Sequence, residues 1–353
     1  MTQVYINRIA TCVPEHDVHG SFVTYAPNLL SREEDRRIFS ALAHRSGIEH
    51  RYSVLKASTD AGKLDADDFY LPHAFPSTKT RMAVYKQHAF PLACQAIDAL
   101  DINNEGAPIT HVIVTSCTGF YAPGIEHDII RHYGLNPMVE RTIVGFMGCQ
   151  AAVNALKLAY HAVRSDPRAR VLMVNLELCT LHLQELDNID QIMSFLIFAD
   201  GCAASIISAE ATGLEILGFH AGILPKSREH ITWHIGDTGF DMVLARQVPA
   251  TITTGIADYM RSFPGIADGE AIRHWAVHPG GRAILDAVRN GLNLTDDDLA
   301  ISLDILRRYG NMSSATVMFV LETMLRQGIG EGKGVAMAFG PGLSAEGMLF
   351  SRA

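Results

Sequence analysis

The sequence predicts a mixed α/β protein built around buried strands, and two observations carry that expectation. Short apolar, β-branched runs recur along the chain, continuous enough to be covered on both faces. Longer stretches of helical length lie between several of them. The size and composition agree with this. At 353 residues the chain exceeds one small core, and 48% hydrophobic with 19% charged residues describes a well-buried globular protein.

The elements are read in chain order. A helix over Arg81–Leu100 is expected to begin near Ser77-Thr78 and to stop at Asp101-Ile102-Asn103, where polar residues close the apolar pattern. His111–Ser116 reads as a strand. Ala, Val, Leu and Tyr fill nearly every position of Gln150–Arg164, broken by Asn154, Lys157 and His161, so this is a buried helix. Strands follow at Val171–Leu176 and Ala203–Ser208. Ala209–Gly218 looks like a seam, dividing the chain into residues 1–210 and 211–353. The second half holds a strand Trp275–Val277 and a helix Arg282–Asn290, with Gly291 expected to stop it. A helix Ala315–Gln327 and strands Val335–Phe339 and Met348–Ser351 complete it. Each half ends in strands after a helix, which suggests a duplicated α/β unit.

Composition excludes several classes of partner. A net charge of −9 argues against nucleic acid or an anionic membrane surface. Six cysteines at 12, 94, 117, 149, 179 and 202 show no paired spacing, which predicts reduced thiols and a cytoplasmic protein. The N-terminal residues lack a signal pattern. The most apolar segment, Val171–Leu183, is too short to span a bilayer and is interrupted by Asn175, Glu177 and His182, so no integral membrane association is expected.

Three local motifs carry chemistry. In Gly145-Phe146-Met147-Gly148-Cys149-Gln150 a thiol stands at the mouth of a helix N-terminus, where free N–H groups and the helix dipole favour a thiolate nucleophile. A core cysteine acting as a small hydrophobe fits the same string. Trp275-Ala276-Val277-His278-Pro279-Gly280-Gly281 ends a strand on a histidine before a forced turn, which suits projection into a cleft or a hydrogen-bonded core position. In Tyr309-Gly310-Asn311-Met312-Ser313-Ser314, either serine could cap the following helix, and Asn311 could present an amide donor to an oxyanion.

The order Cys, His, Asn within these strings resembles the type III polyketide synthases, the chalcone-synthase-like branch of the thiolase superfamily. The resemblance rests on Gly148-Cys149, His278-Pro279-Gly280-Gly281, Gly310-Asn311-Met312-Ser313-Ser314 and Phe339-Gly340-Pro341-Gly342-Leu343. Weaker matches at Phe198-Ala199-Asp200-Gly201, Cys117-Thr118-Gly119-Phe120 and Ala122-Pro123-Gly124 extend it across most of the chain, and the last two look bacterial. It implies a thiolase fold, two similar α/β halves in a five-layered αβαβα core, and a homodimer. It also implies that Cys149 takes an acyl group from an acyl-CoA starter and that His278 lowers the thiol pKa as an imidazolium. His278 and Asn311 would then stabilise the enolate left when malonyl-CoA loses CO2. No metal and no redox cofactor is implied; CoA carries the substrates.

The same resemblance places Phe198 at a gate between CoA tunnel and cavity, and Trp233 at the second gate. Ser313 belongs to the cavity as well. Cys117 and His182 stand where plant enzymes have cavity threonines. Ala122 replaces a methionine that crosses the dimer interface, which predicts room for a fatty acyl starter, and Leu224 falls near a cavity glycine. Of the CoA phosphate contacts only Arg45 has a match, with Arg36 and Arg37 displaced from the pattern. A pyrone or resorcinol-type product is implied. Competing expectations are a ketoacyl-carrier-protein synthase, which shares the Cys-His-Asn set, a papain-like thiol hydrolase, and a non-catalytic scaffold of the same fold.

Overall fold

The computed structural model describes residues 2–102, 107–267 and 270–353. Its first half runs β1 (Tyr5–Cys12), β2 (His16–Asp17), α1 (His19–Tyr25), α2 (Glu33–Arg45), β3 (Tyr52–Ser53), α3 (Thr78–Leu100) and β4 (His111–Ser116). It continues with α4 (Ile125–His132), β5 (Glu140–Gly145), α5 (Ala151–Ser165), β6 (Val171–Leu178), α6 (Ile189–Ile197) and β7 (Asp200–Ser208). The second half begins with β8 (Leu214–Ile223), the hairpin β9 (Ile231–Gly236) and β10 (Gly239–Leu244), α7 (Val248–Arg261) and β11 (His274–Val277). It closes with α8 (Arg282–Leu292), α9 (Ala300–Tyr309), α10 (Thr316–Gln327), β12 (Lys333–Gly340) and β13 (Ser344–Arg352).

Nine strands form one mixed sheet in the order β11-β12-β13-β8-β1-β7-β6-β4-β5. The two halves meet at a narrow seam, where β1 and β8 pair through Tyr5↔Glu215 and Ile6↔Leu214. Strand order runs outward from that seam in matching fashion. β1-β7-β6-β4 on one side corresponds to β8-β13-β12-β11 on the other, with a parallel pair at β6/β4 and at β12/β11. The buried strands are covered on both faces, as their continuous apolar runs require.

Three apolar clusters define the layers. Alternation along β4 sends Val112 and Val114 against α3 and α4, while Ile113 faces α5 and α10. Along β12, Ala336 and Ala338 face that same helix pair, and Val335, Met337 and Phe339 face α7, α8 and α9. Helices therefore lie outside each sheet half and between them, giving αβαβα. Among the described residues no helix is long and apolar enough to cross a membrane.

Element ends show where the sequence reading held and where packing overrode it. Ser77 caps α3 by accepting the N–H of Thr80, and Asp101 ends it in a left-handed conformation at φ 52°. Asn103 of the expected stop lies outside the described residues. Gly291 is not the stop of α8, which continues to Leu292 and ends on left-handed Asn293. A Cβ at position 291 would sit 2.4 Å from Ile256 Cγ2 and 2.8 Å from the Thr253 carbonyl, so the glycine is there to let α7 and α8 approach.

Candidate active site

The matching halves place equivalent elements around one cavity. α5 and α10 share the middle layer, and each is entered through a 3₁₀ turn, Gly148–Gln150 and Ser313–Ala315, which pack against one another. The ends of the equivalent strands β4 and β11 deliver Cys117 and His278 beside these turns. Four chain segments distant in sequence thus converge because one supersecondary pattern is used twice.

Cys149 occupies the turn ahead of α5. The approach bends through Phe146 at φ 55° and Gly148 at φ 66°. A side chain at 148 would meet Pro341 Cδ at 2.5 Å, so the Phe339–Leu343 motif is the lid that clamps this turn. Cys149 keeps a partly open face on the cavity, yet burial pushes its thiol up to about 11; the Ser313 and Asn311 side chains pull in the other direction. His278 is 1% exposed, and neither ring nitrogen has a hydrogen-bond partner. Burial draws its pKa down to about 3. Burial therefore works against the expected thiolate–imidazolium pair. The apolar cavity disfavours each charge, and no hydrogen bond links ring and thiol.

Asn311 is held rigidly. Its backbone N–H bonds the Ile197 carbonyl at 2.7 Å, and its carbonyl accepts from Ala199 at 2.9 Å. Its side-chain oxygen accepts the Ser313 N–H at 2.8 Å, which turns Nδ2 toward Cys149 Sγ at 3.9 Å. Neither Ser313 nor Ser314 caps a helix, contrary to one sequence reading. Ser313 adopts φ 47° and lines the cavity, and Ser314 donates to Glu177 at 2.5 Å.

Glu177 went unassigned in the sequence, although a charge inside the buried run Val171–Leu178 was the available signal. Strand alternation puts Met173, Asn175 and Glu177 on the face toward the middle layer. Its carboxyl also accepts from Cys117 N at 2.9 Å and Thr118 Oγ1 at 2.8 Å. Burial lifts it to about 7 despite those bonds.

The cavity, taken together with the open solvent at its mouth, spans about 770 Å3 and brings together Cys149, His278, Asn311, Cys117, Phe198, Trp233 and Ser313. Trp233 Nε1 donates to the Cys117 carbonyl at 2.9 Å and closes one wall. Phe195, Met242, Leu244 and a third thiol, Cys179, line it without having been singled out. Met242 is legible only through its cross-strand pairing with Trp233 in the hairpin.

Four expected positions fall elsewhere. His182 is fully buried behind the wall, stacked on Phe240 at 4.1 Å and bonded to the Thr118 carbonyl at 2.7 Å. Ala122 is exposed and does not line the cavity, so the sequence-inferred tunnel at that position is not formed by this protomer. Leu224 packs toward Gly255 of α7 instead of the cavity. Arg45 ends α2 on the surface.

Comparison with known proteins agrees with this arrangement. Residues 6–211 match the family model for chalcone and stilbene synthases, N-terminal domain, and residues 216–352 match the C-terminal domain. The alpha-pyrone synthesis polyketide synthase-like Pks18 of Mycobacterium tuberculosis is 34% identical over 293 residues, 78% of this chain and 74% of the relative. Bisdemethoxycurcumin synthase of Oryza sativa is 32% identical over 333 residues, covering 88% and 82%. The C-terminal type III polyketide synthase domain of Steely1 from Dictyostelium superposes with a TM-score of 0.89 at 26% identity, covering 99% of both chains. Bacterial 1,3,6,8-tetrahydroxynaphthalene synthase from Streptomyces coelicolor gives 0.86 at 25%, over 100% and 99%. The chain has the thiolase fold of these enzymes and belongs to the chalcone and stilbene synthase family, as a type III polyketide synthase of the bacterial kind.

Proposed function

We propose that this synthase loads an acyl-CoA starter onto Cys149 and extends it with malonyl-CoA, using His278 and Asn311 as the two donors. One observation carries the reading: both ring nitrogens of His278 are unfilled in a cavity that also holds Cys149 Sγ and Asn311 Nδ2. A buried polar group without a partner is costly, and a substrate oxygen is the partner that chemistry would supply.

In this reading the Cys149 proton passes to His278 when the thioester carbonyl arrives. Each charge alone is disfavoured by burial, but the opposite charges stabilise one another in a low-dielectric site. Sγ attacks the carbonyl carbon, and CoA leaves as its thiol. When malonyl-CoA follows, loss of CO2 leaves an enolate whose oxygen accepts from His278 and Asn311. Its carbon attacks the carbonyl of the Cys149 thioester, the C–S bond breaks with Sγ leaving as the thiolate to be reprotonated from solvent, and the lengthened chain remains on CoA. No metal or redox group takes part in any of these steps.

Leu244 lines both the cavity and a surface groove with Ile38, Leu42 and Ile197. Ile38, Leu42 and Arg45 share one face of α2, which suits CoA entry there with Arg45 at the lip. Phe195, Phe198, Trp233, Met242 and Leu244 make an apolar receptacle that favours a fatty acyl starter, and the Pks18 name points toward a pyrone product. The open edge of β5, with exposed Ile143, Met138, Phe120 and Met147 beside Ala122, is the face for a homodimer. The halves at residues 1–210 and 211–353 each contribute part of the site, and the six free cysteines fit a cytoplasmic setting. Product mass spectra from a panel of acyl-CoA starters with malonyl-CoA test the reading. Apolar starters of eight or more carbons should give pyrones, and conversion of acetyl-CoA alone would contradict the starter assignment.

A further inference from the structure

Behind the wall of the catalytic cavity lies a second one, which spans about 420 Å3 together with the open solvent at its mouth. Phe195 and Phe198 line both, so two aromatic side chains separate them. Apolar groups dominate its far side, with Phe22, Leu55, Leu64 and Leu183. Its polar groups satisfy one another with one exception. Asp65 accepts the N–H groups of Asp67, Phe69 and Tyr70. Ser53 and Thr180 hydroxyls bond each other, and Thr180 donates onward to Asp200. The Tyr70 hydroxyl donates to the Thr180 carbonyl.

Arg51 is the exception. It is 2% exposed and lines this cavity. Nε donates to His19 Nδ1 at 3.1 Å, and Nη1 donates to the carbonyls of Phe195 and Phe198 at 3.0 and 2.6 Å. Nη2 is buried with no partner, and no carboxylate among the described residues forms an ion pair with this guanidinium. The Phe22 ring, 4.7 Å from its carbon, offers only a π face. Asp17 and Asp200 act on the guanidinium only through space, so a buried cation hydrogen-bonded to neutral acceptors, with one donor nitrogen unfilled, keeps a position for an anion. The shape and lining limit what can bring that anion, since the remaining wall is aliphatic and aromatic.

We propose that the second cavity binds a carboxylate carried on an apolar chain, with the carboxylate on Arg51 Nη2 and the chain along Phe22, Leu55, Leu64 and Leu183. Two sources share this chemistry. One is a free carboxylic acid. The other is the far end of an acyl chain held on Cys149 that reaches past Phe195 and Phe198; this source rests on the proposed acylation of Cys149, whereas the first does not. Because Nη1 holds the carbonyls of those same phenylalanines, an occupant on Arg51 is coupled to the wall of the catalytic cavity.

The experiment uses the full-length protein and its Leu64→Trp variant. Leu64 is half-buried on the rim of the second cavity only, so tryptophan fills that cavity and leaves every hydrogen bond of Arg51 in place. Calorimetry with octanoate and octan-1-ol tests the free acid. Wild type should hold octanoate at least about tenfold tighter, as a hydrogen bond to a charged group provides, and Leu64→Trp should lose that preference. Rates of Cys149 acylation by suberyl-CoA and octanoyl-CoA test the tethered acid: the ratio should favour suberyl-CoA and fall about tenfold in the variant. Either pattern supports the compartment and identifies its source. Equal binding of acid and alcohol, together with an unchanged acylation ratio in Leu64→Trp, overturns it. Octanoate binding with no acylation by either thioester would overturn the Cys149 reading and leave the compartment standing.

Discussion

At the residue scale, the division of labour between His278 and Asn311 follows from what holds each one. Asn311 is fixed through its side-chain oxygen and both backbone groups, so Nδ2 is a rigid donor with no proton to exchange. In the proposed mechanism His278 takes the Cys149 proton. Asn311→Ala should therefore keep starter loading and lose malonyl decarboxylation by roughly 100- to 1000-fold, the usual effect of one oxyanion donor. His278→Ala should lose both, and rapid-quench assays of loading and CO2 release separate the two. Equal loss of loading in both variants would contradict the assignment. Glu177 supplies a pH test. Its folded pKa of about 7 lies above an unfolded carboxyl near 4.5, so its favourable contribution is complete below pH 4.5 and is lost as pH rises through 7. Between those limits wild type should lose about 3 kcal/mol relative to Glu177→Gln. Denaturation midpoints that stay parallel across that range would show that Glu177 is not held protonated.

At the element scale, Gly291 sets two effects of opposite sign against each other. Removing a glycine from within a helix, here from the last turn of α8, ordinarily gains up to about 1 kcal/mol. Here the added methyl would press on Ile256 and the Thr253 carbonyl, and overpacking of this kind costs about 1–3 kcal/mol. Gly291→Ala should destabilise the protein in urea titration, and a stabilised variant would show that α7 and α8 are free to move apart. The same position explains a limit of sequence reading. A glycine at the end of an apolar helical pattern looks the same whether it ends the helix or makes room for a neighbour. Periodicity made the central strands and α3, α5, α8 and α10 legible because each is a long, buried, regular run. The hairpin β9/β10 was not, since its polar and apolar residues alternate against a cavity instead of a core. That Cys149, His278 and Asn311 meet in one cavity was legible from motif order. His182 was misplaced because position in a motif does not say which side of a wall a side chain occupies. Helix-dipole reasoning also leaves out the desolvation of a deep apolar cavity, which pushes the Cys149 thiol up.

At the scale of the whole molecule, β5 ends the nine-stranded sheet with one backbone edge unpaired. Ile143 on it is 44% exposed and Met138 beside it 85%, an apolar face that a second copy would cover. Sedimentation should find a dimer for wild type and a monomer for Ile143→Lys. A variant that stays dimeric would move the interface elsewhere.

In the proposed mechanism one thiol out of three in the cavity does the chemistry. Cys117, Cys149 and Cys179 all line it, but only Cys149 stands at a helix entrance within reach of Asn311 Nδ2. Burial pushes the other two well above the ordinary thiol range, and Cys117 Sγ already accepts the Gly148 N–H at 3.1 Å. The most direct measurement is peptide mass spectrometry of the protein after exposure to a starter acyl-CoA, alongside Cys149→Ala. The account predicts a single acyl group on the Cys149 peptide of wild type, and neither acylation nor polyketide from the variant. An acyl group on Cys117 or Cys179, or product made by Cys149→Ala, would contradict it.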